Sequence, residues 1–194
     1  MEVSRLFNDK FEKFDIQWLE ENAEKRELIE MTSYVFRQKT DSGFILIDGN
    51  QKRGYWFFQF FNNDYFALHK YFYPSGKIQE KGWASNWSGV KKGLWYEYDT
   101  NGKLIKTTDY DKLTKFSIED VVNYCRIENI PLRTGHIESM TGFHAAYNRY
   151  YDEEMKKYNW VIRIRKSYEF AEMIYLDGDT GKEIKRIEKQ MSFE

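Results

Sequence analysis

The feature that most constrains this chain is a hairpin turn that recurs with nearly the same chemistry. Residues 72–78 (FYPSGKI) align with residues 98–104 (YDTNGKL) at an offset of 26 residues. Each copy has an aromatic strand end, a polar turn, a glycine, a lysine and an aliphatic residue, and residues 177–182 (DGDTGK) form a third turn of this kind. Glycine supplies the positive φ at which a hairpin closes into a bulge. The turns therefore predict successive antiparallel hairpins.

The segments between these turns have strand character. Aromatic residues make up 19% of the chain, and aromatic side chains favour pleated, half-buried surfaces. Residues 55–61 (YWFFQFF) are apolar on both faces, so one face should meet a core and the other should be covered by an N-terminal helix or by a partner. Predicted strands lie at residues 27–39, 44–47, 55–61, 65–73, 137–151, 160–166, 169–177 and 183–189, with turns at 40–43, 48–50 and 62–64.

A helix is predicted over residues 4–25. Phe7, Phe11, Phe14 and Trp18 recur at helical spacing and form one apolar stripe. The stripe favours a helix that lies on a sheet, and the alternative is an amphipathic helix that binds a partner.

A second helix is predicted to begin after Ser117, which can act as the N-cap, with Asp120 at the third helical position. Pro131 ends this helical region. The apolar residues on one face of the helix are Ile118, Val121, Val122 and Cys125.

These elements predict an α+β fold in which an N-terminal helix lies on an antiparallel β-hairpin meander, followed by a helix plus an antiparallel sheet. The polar stretch 109–115 indicates a boundary between a domain at 1–115 and a domain at 116–194. The alternative is that the chain forms one continuous fold.

Net charge and the search for targeting signals restrict the expected partners and the expected compartment of the protein. The 30 basic and 31 acidic residues give a net charge of −1, which argues against a nucleic-acid partner because such domains are usually strongly basic. The N-terminus has no apolar signal-peptide region, no stretch approaches the length of a membrane span, and the lone Cys125 cannot form an internal disulfide. We expect a cytoplasmic protein without a membrane span.

No motif in the sequence indicates catalysis. The chain lacks a nucleophile elbow, a phosphate-binding loop and a dinucleotide fingerprint. His136 and His144 lie eight residues apart, about 26 Å on a continuous strand, which is too far for a shared metal unless Gly142 turns the chain. His69 is predicted to be an ordinary polar or packed histidine, and Cys125 a buried small hydrophobe. We expect no catalytic residues, no metal and no cofactor.

Arginine and isoleucine alternate near the C-terminus. Arg163 and Arg165 alternate with Ile162 and Ile164, which is typical of a sheet with one wet face. The arginines are predicted to lie on a solvated face or, alternatively, on a patch that binds an anionic partner.

One part of the chain resembles a known repeat. Residues 93–98 (GLWYEY), residues 101–104 (NGKL) and Tyr110 resemble the variant MORN repeat, and residues 73–78 resemble a degenerate copy, with residues 83–90 departing from a clean tandem. The resemblance covers about 40 residues. It implies β-hairpins and the class of bacterial antitoxin and immunity-like proteins.

The C-terminal part is weakly similar to PepSY-like domains, in which a helix precedes strands and a D-x-x-T-G-K turn occurs. The similarity depends on one hairpin turn, Asp177 to Lys182.

The MORN resemblance implies a protein that binds and neutralises a cognate toxin by occlusion. We expect Trp83, Trp87, Trp95 and Tyr96 to contact the partner, because tryptophan and tyrosine are enriched at interface hot spots. The first alternative is a non-catalytic ligand-binding or structural module that recognises a glycan or a lipid headgroup with the same rings. A third hypothesis is an enzyme with a site near His136 and His144.

Overall fold

Two antiparallel sheets dominate the structure, a computed structural model that describes residues 7–28, 31–136 and 144–191. In these ranges the first sheet has eight strands that follow one another in chain order. They are β1 (Glu24–Leu28), β2 (Met31–Thr40), β3 (Gly43–Asn50), β4 (Gly54–Phe61), β5 (Phe66–Phe72), β6 (Ile78–Ser85), β7 (Lys91–Tyr98) and β8 (Leu104–Asp109). This arrangement confirms the predicted meander.

The second sheet follows a 3₁₀ turn (Tyr110–Leu113) and helix α2 (Ile118–Ile127). Its strands occur in the order β12-β11-β10-β9, and they are β9 (Ala145–Asp152), β10 (Lys157–Arg165), β11 (Phe170–Leu176) and β12 (Glu183–Gln190). A helix followed by an antiparallel sheet completes the predicted α+β fold. The part of the predicted strand 137–151 that precedes residue 144 lies outside the described residues.

The three glycine turns share one geometry. Gly76, Gly102 and Gly181 have φ values of 77°, 90° and 71°, in the left-handed region that favours glycine. Each amide donates to the carbonyl of the last residue before the turn, and the strand register shifts just before it. The predicted bulged hairpins are confirmed. The turn predicted at 48–50 is wrong, since β3 continues to Asn50 and the chain turns at 51–53.

The N-terminal region differs from the prediction. A helix over 4–25 is wrong for the described residues, because helix α1 spans only Ile16–Asn22 and residues 24–28 form β1. Residues before α1 cross the sheet as an extended segment. Its backbone bonds to the β5–β6 hairpin, with the Phe14 amide donating to the Gly76 carbonyl at 2.7 Å and the Ile78 amide donating to the Glu12 carbonyl at 3.0 Å.

Helix α2 is built as the sequence predicts. The Ser117 hydroxyl accepts from the Asp120 amide at 3.1 Å, and the Asp120 carboxylate accepts from the Ser117 amide at 2.8 Å. These two bonds form a capping box, which satisfies amides that a helix start otherwise leaves without partners. The predicted burial of Cys125 is confirmed at 0% exposure.

Among the described residues, two hydrophobic clusters stabilise the fold. One lies between residues 7–23, here called the N-terminal segment, and the first sheet, and it is centred on Leu19, Tyr55 and Ile78. The other joins α2 to the second sheet but also includes Phe66 and Val90 of the first sheet region. The core therefore crosses residue 115, and the two predicted domains share one cluster.

Candidate functional site

Trp95, one of the predicted contact residues, is buried against the first sheet. Its ring is 1% exposed, its Nε1 donates to the Trp83 carbonyl at 2.9 Å, and the Lys91 ammonium lies 3.9 Å from the ring centroid. A Cβ on Gly82 would lie 2.2 Å from the ring, so glycine at this position allows Trp95 to pack flat on β6. In this conformation the ring has no surface to offer a partner.

Trp83 and Tyr96 occupy two different parts of the molecule. Trp83 is half-buried against the cluster that joins α2 to the second sheet, with Phe61 at 5.5 Å between ring centroids. Tyr96 packs on the N-terminal cluster and contacts the Phe7 ring at 5.4 Å. Both rings contribute to packing, and within the described residues neither makes a ring contact with Trp87.

Trp87 is held at the junction between the two sheets. It belongs to the loop at 86–90, where the Asn86 side-chain amide donates to the Asp64 carbonyl at 2.7 Å and to the Gly135 carbonyl at 3.2 Å. The His144 ring packs edge-on against the indole at 4.2 Å. These contacts fix the loop against the start of β9.

Beside Trp87 the surface opens into a groove of about 340 Å³. The far wall of the groove belongs to the second sheet, where Val161, Arg163 and Met173 lie on neighbouring strands. The groove combines an indole, two apolar side chains and a guanidinium, which is the mixture enriched at the centre of protein interfaces.

The groove continues onto one whole face of the second sheet. In β10, Trp160 and Ile162 point towards α2 and are 0% exposed, so Val161 and Arg163 point the other way. The strand register then assigns residues of the neighbouring strands to the same side. We call this side the outer face, and it carries Asn148, Tyr150, Val161, Arg163, Met173, Tyr175, Lys185, Ile187 and Lys189.

The charged side chains on the two faces of the second sheet differ in their ion pairing. On the side that packs on α2, the Arg186 guanidinium lies 2.8 Å from Glu183 and 3.3 Å from Glu172. The bond to Glu183 raises the pKa of Arg186, and the pKa of Glu183 is lowered by the same bond. On the outer face, Arg163 and Lys189 are exposed and make no ion pair with any residue in the described ranges.

A second cavity lies under the N-terminal segment. It has a volume of about 280 Å³ and is lined mainly by apolar side chains from the segment and the sheet, among them Phe14, Trp18, Phe36 and Phe57. Pockets for small ligands are usually of this character and of similar or larger size. A small apolar molecule would fit in this cavity.

A charged cluster stands at the rim of this cavity. The Lys70 and Lys81 ammonium groups lie 2.5 and 2.6 Å from the two carboxylate oxygens of Glu12, and Lys81 also donates to the Lys10 carbonyl at 2.6 Å. Burial raises the pKa of Glu12, but the bonds from the two lysines outweigh it, and the pKa falls. Burial lowers the pKa of Lys81, which is 0% exposed. The cluster fastens the N-terminal segment to the sheet.

The histidines and the cysteine lie in packed surroundings. The His136 ring stacks on Phe44 at 3.7 Å, and burial, with a smaller effect of Lys91, lowers the pKa of His69 to about 4. Burial raises the pKa of Cys125 to about 12, which leaves the thiol protonated and weakly nucleophilic. Across residues 7–28, 31–136 and 144–191, no group of three His, Cys, Asp or Glu is placed to hold a metal ion.

Comparison with protein-family models, with curated proteins and with solved structures found no match in any of the three. The MORN-like and PepSY-like resemblances therefore stay predictions. In the described residues no helix has both the length and the apolarity needed to cross a bilayer.

Part of the groove and of the outer face could be predicted from the sequence. Trp87 and Arg163 were both considered from the sequence, but on separate grounds. Lys185, Lys189 and Met173 were missed, because an alternating strand does not reveal which neighbour it pairs with. A signal was present in residues 183–190, where Lys185, Ile187 and Lys189 alternate with other residues along one predicted strand.

Proposed function

We propose that this protein is a non-catalytic binding protein that neutralises a toxic partner protein by covering the surface through which the partner acts. The observation that supports this proposal is the outer face with the Trp87 groove. It is an open sheet face with apolar residues at its centre and cations around them, and it adjoins a recess that can receive a protruding side chain. The MORN-like resemblance supports the same class of immunity and antitoxin proteins.

The contact residues of this proposal differ from those expected from the sequence. Trp87 stays in the proposed contact, together with Arg163, Val161 and Met173 along the groove. Trp95 leaves it because its ring is buried. Inhibition by this surface would be steric, and no residue is assigned a role in bond making or breaking.

The test is co-expression with the product of the neighbouring gene, followed by purification of the tagged full chain. We expect a stoichiometric complex with a protein that stops growth when it is expressed alone. The Trp87→Ala variant should weaken the complex and restore toxicity, while its melting temperature stays near that of the wild type. The matched control is Trp56→Ala, which removes an indole from β4 of the first sheet. If the neighbouring product is harmless and binds nothing, the proposal is wrong.

A ligand-binding module is the second candidate, and the cavity of about 280 Å³ under the N-terminal segment favours it. A screen of glycans and lipid headgroups against the full chain, without any partner protein, tests this function. Binding that is lost in Phe57→Ala and retained in Trp87→Ala would support it. A screen without a hit, combined with a stable protein complex, would reject it.

A further inference from the structure

Three cations of the outer face lack an ion-pair partner among the described residues, although the chain as a whole is nearly neutral. Arg163 on β10 and Lys185 and Lys189 on β12 are all exposed, and no ion pair joins them to a residue in the described part of the chain. The net charge of the chain is −1. The surplus of positive charge is therefore a local property of this face.

Acids near the face are already engaged at one end of the sheet. The Asp152 carboxylate accepts hydrogen bonds from the amides of Glu154 and Met155 in the β9–β10 turn. The Asp177 carboxylate lies 2.6 Å from the Lys157 ammonium. Neither acid forms an ion pair with Arg163, Lys185 or Lys189.

The centre of the face is apolar. The register places Arg163 opposite Met173, and Met173 opposite Ile187, in one row across three strands. Lys185 and Lys189 flank Ile187 on its own strand, each at about 7 Å along the chain. An exposed isoleucine (41%) between two lysines forms an apolar contact with a cationic rim.

The chemistry of this centre favours a protein over a nucleic acid. Single-stranded nucleic acids bind by stacking bases on open aromatic rings. Here the central residues are aliphatic or thioether, and the Lys185 ammonium covers the Tyr175 ring at 4.6 Å from its centroid. The Tyr150 ring packs edge-on against Tyr175 at 5.8 Å. The rings of this face are thus occupied within the sheet.

The Trp87 groove favours a protein over a lipid surface. A bilayer surface offers no side chain that could enter a recess of about 340 Å³ bordered by Trp87 and Arg163. A protein surface offers such a side chain, and it can place acids around it to pair with the cationic rim.

We infer that the outer face recognises an acidic protein surface, in which carboxylates pair with Arg163, Lys185 and Lys189 around an apolar contact at Met173 and Ile187. This inference depends on the proposed function, because it names the chemical class of the partner. Electrostatic attraction of this kind raises the association rate and weakens as salt screens it.

The experiment measures the affinity of the full chain for the neighbouring gene's product and, separately, for three probes. The probes are a short poly-glutamate peptide, single-stranded oligothymidylate, and vesicles of equal parts phosphatidylserine and phosphatidylcholine. The variants are Arg163→Glu and the double variant Lys185→Glu/Lys189→Glu. Lys103→Glu is the control, since it makes the same charge change as Arg163→Glu, and half that of the double variant, at an exposed position in the β7–β8 turn.

We expect the complex with the neighbouring product to weaken about tenfold when salt rises from about 50 to about 300 mM. Each charge reversal should weaken it by about tenfold or more, mainly through the association rate. Lys103→Glu should leave it unchanged, and poly-glutamate should bind more tightly than the oligonucleotide and the vesicles.

The possible failures are distinguishable. A complex that forms but is insensitive to salt and to both reversals overturns the acidic-surface inference and leaves the proposed function intact. If no complex forms with the neighbouring product, the proposed function fails, and Arg163-dependent binding of poly-glutamate would support acidic recognition by itself. Tighter binding of the oligonucleotide or the vesicles than of poly-glutamate overturns the inference in favour of that class.

Discussion

The two sheets of this protein are built from the same kind of hairpin, but they use their charged residues in opposite ways. In the first sheet, Lys81 is completely buried and holds Glu12 and the Lys10 carbonyl of the N-terminal segment. In the second sheet, Arg163 and Lys189 extend from an exposed face without an acidic partner in the described ranges. The same hairpin geometry therefore carries a buried, paired lysine in the first sheet and exposed, unpaired cations on one face of the second, as far as the described ranges show.

The comparison assigns opposite roles to two tryptophans that the sequence grouped together. Trp95 supports the first sheet from within, and Trp87 borders the groove beside the second sheet. Replacing Trp95 is therefore expected to cause a large loss of stability, whereas replacing Trp87 is expected to cause a loss of binding.

Removing the Trp95 ring should produce the largest loss. Because the ring is 1% exposed and packs on Gly82, Trp95→Ala leaves a cavity in the sheet. We expect the free energy of unfolding to fall by about 4 kcal/mol, measured by urea denaturation. Trp87→Ala is the control and should cost less than about 1.5 kcal/mol, since its half-buried loop position leaves no enclosed cavity. Equal losses of stability for the two variants would contradict the different roles assigned to the two tryptophans.

His69 should make the first sheet sensitive to acid. Burial lowers the pKa of its imidazole to about 4 in the folded protein, against 6.5 for a free side chain. As pH falls from 6.5 to 4, the unfolded chain takes up a proton that the folded chain does not, so stability decreases. The expected loss at the end of this range is on the order of 3 kcal/mol.

The measurement for His69 is the free energy of unfolding at several pH values for the wild type and for His69→Gln. Both proteins share every other titrating group, so their difference isolates this imidazole. The difference should change steadily between pH 6.5 and pH 4, with the wild type losing more stability. A difference that stays constant over this interval would show that His69 titrates normally.

The Glu12 cluster should contribute less than these two effects, because Glu12 itself is about one-third exposed. Glu12→Ala leaves the buried Lys81 ammonium without a carboxylate, and we expect a loss of about 2 kcal/mol. Replacing Lys81 as well, in Glu12→Ala/Lys81→Met, should recover part of the stability. A double variant that is less stable than the sum of the single effects would contradict this account of the cluster.

Neutralising Arg163 should have the smallest effect on stability. The side chain is exposed and makes no ion pair in the described residues, so Arg163→Gln is expected to change the free energy of unfolding by less than about 0.5 kcal/mol. Arg186→Gln is the matched change on the opposite face, where the guanidinium bonds Glu183 and Glu172. It should be the more destabilising of the two in urea denaturation.

Local signals explain how much of this fold could be predicted. The glycine turns at Gly76, Gly102 and Gly181 and the capping box at Ser117 depend on residues within a few positions of one another. Sequence alone therefore suffices for them. The strands of the meander follow because each pairs with its neighbour in the chain.

The prediction of a helix over residues 4–25 was wrong because the spacing of its aromatic residues fits two different structures. Phe7, Phe11 and Phe14 have helical spacing, but they also fit an extended segment whose rings pack on a sheet. The choice depends on backbone bonds from residues 12–14 to residues 76–78 of the β5–β6 hairpin, which no local pattern encodes.

The candidate site depended on the same long-range information. Arg163 was visible as a cation on an alternating strand, yet its grouping with Ile187 requires the pairing of three strands. The burial of Trp95 likewise depends on Gly82 in the neighbouring strand. Side-chain chemistry could be predicted from the sequence, whereas proximity could not.

Lysine acetylation of the full chain, alone and in complex with the neighbouring gene's product and read by mass spectrometry, tests directly whether the outer face is the binding surface. We expect the partner to slow acetylation of Lys185 and Lys189 about tenfold or more, since the ammonium groups would be paired and covered. Lys103 and Lys112 of the first sheet region should react at unchanged rates. Protection of Lys103 and Lys112 with Lys185 and Lys189 still reactive would contradict the assignment of the outer face as the binding surface.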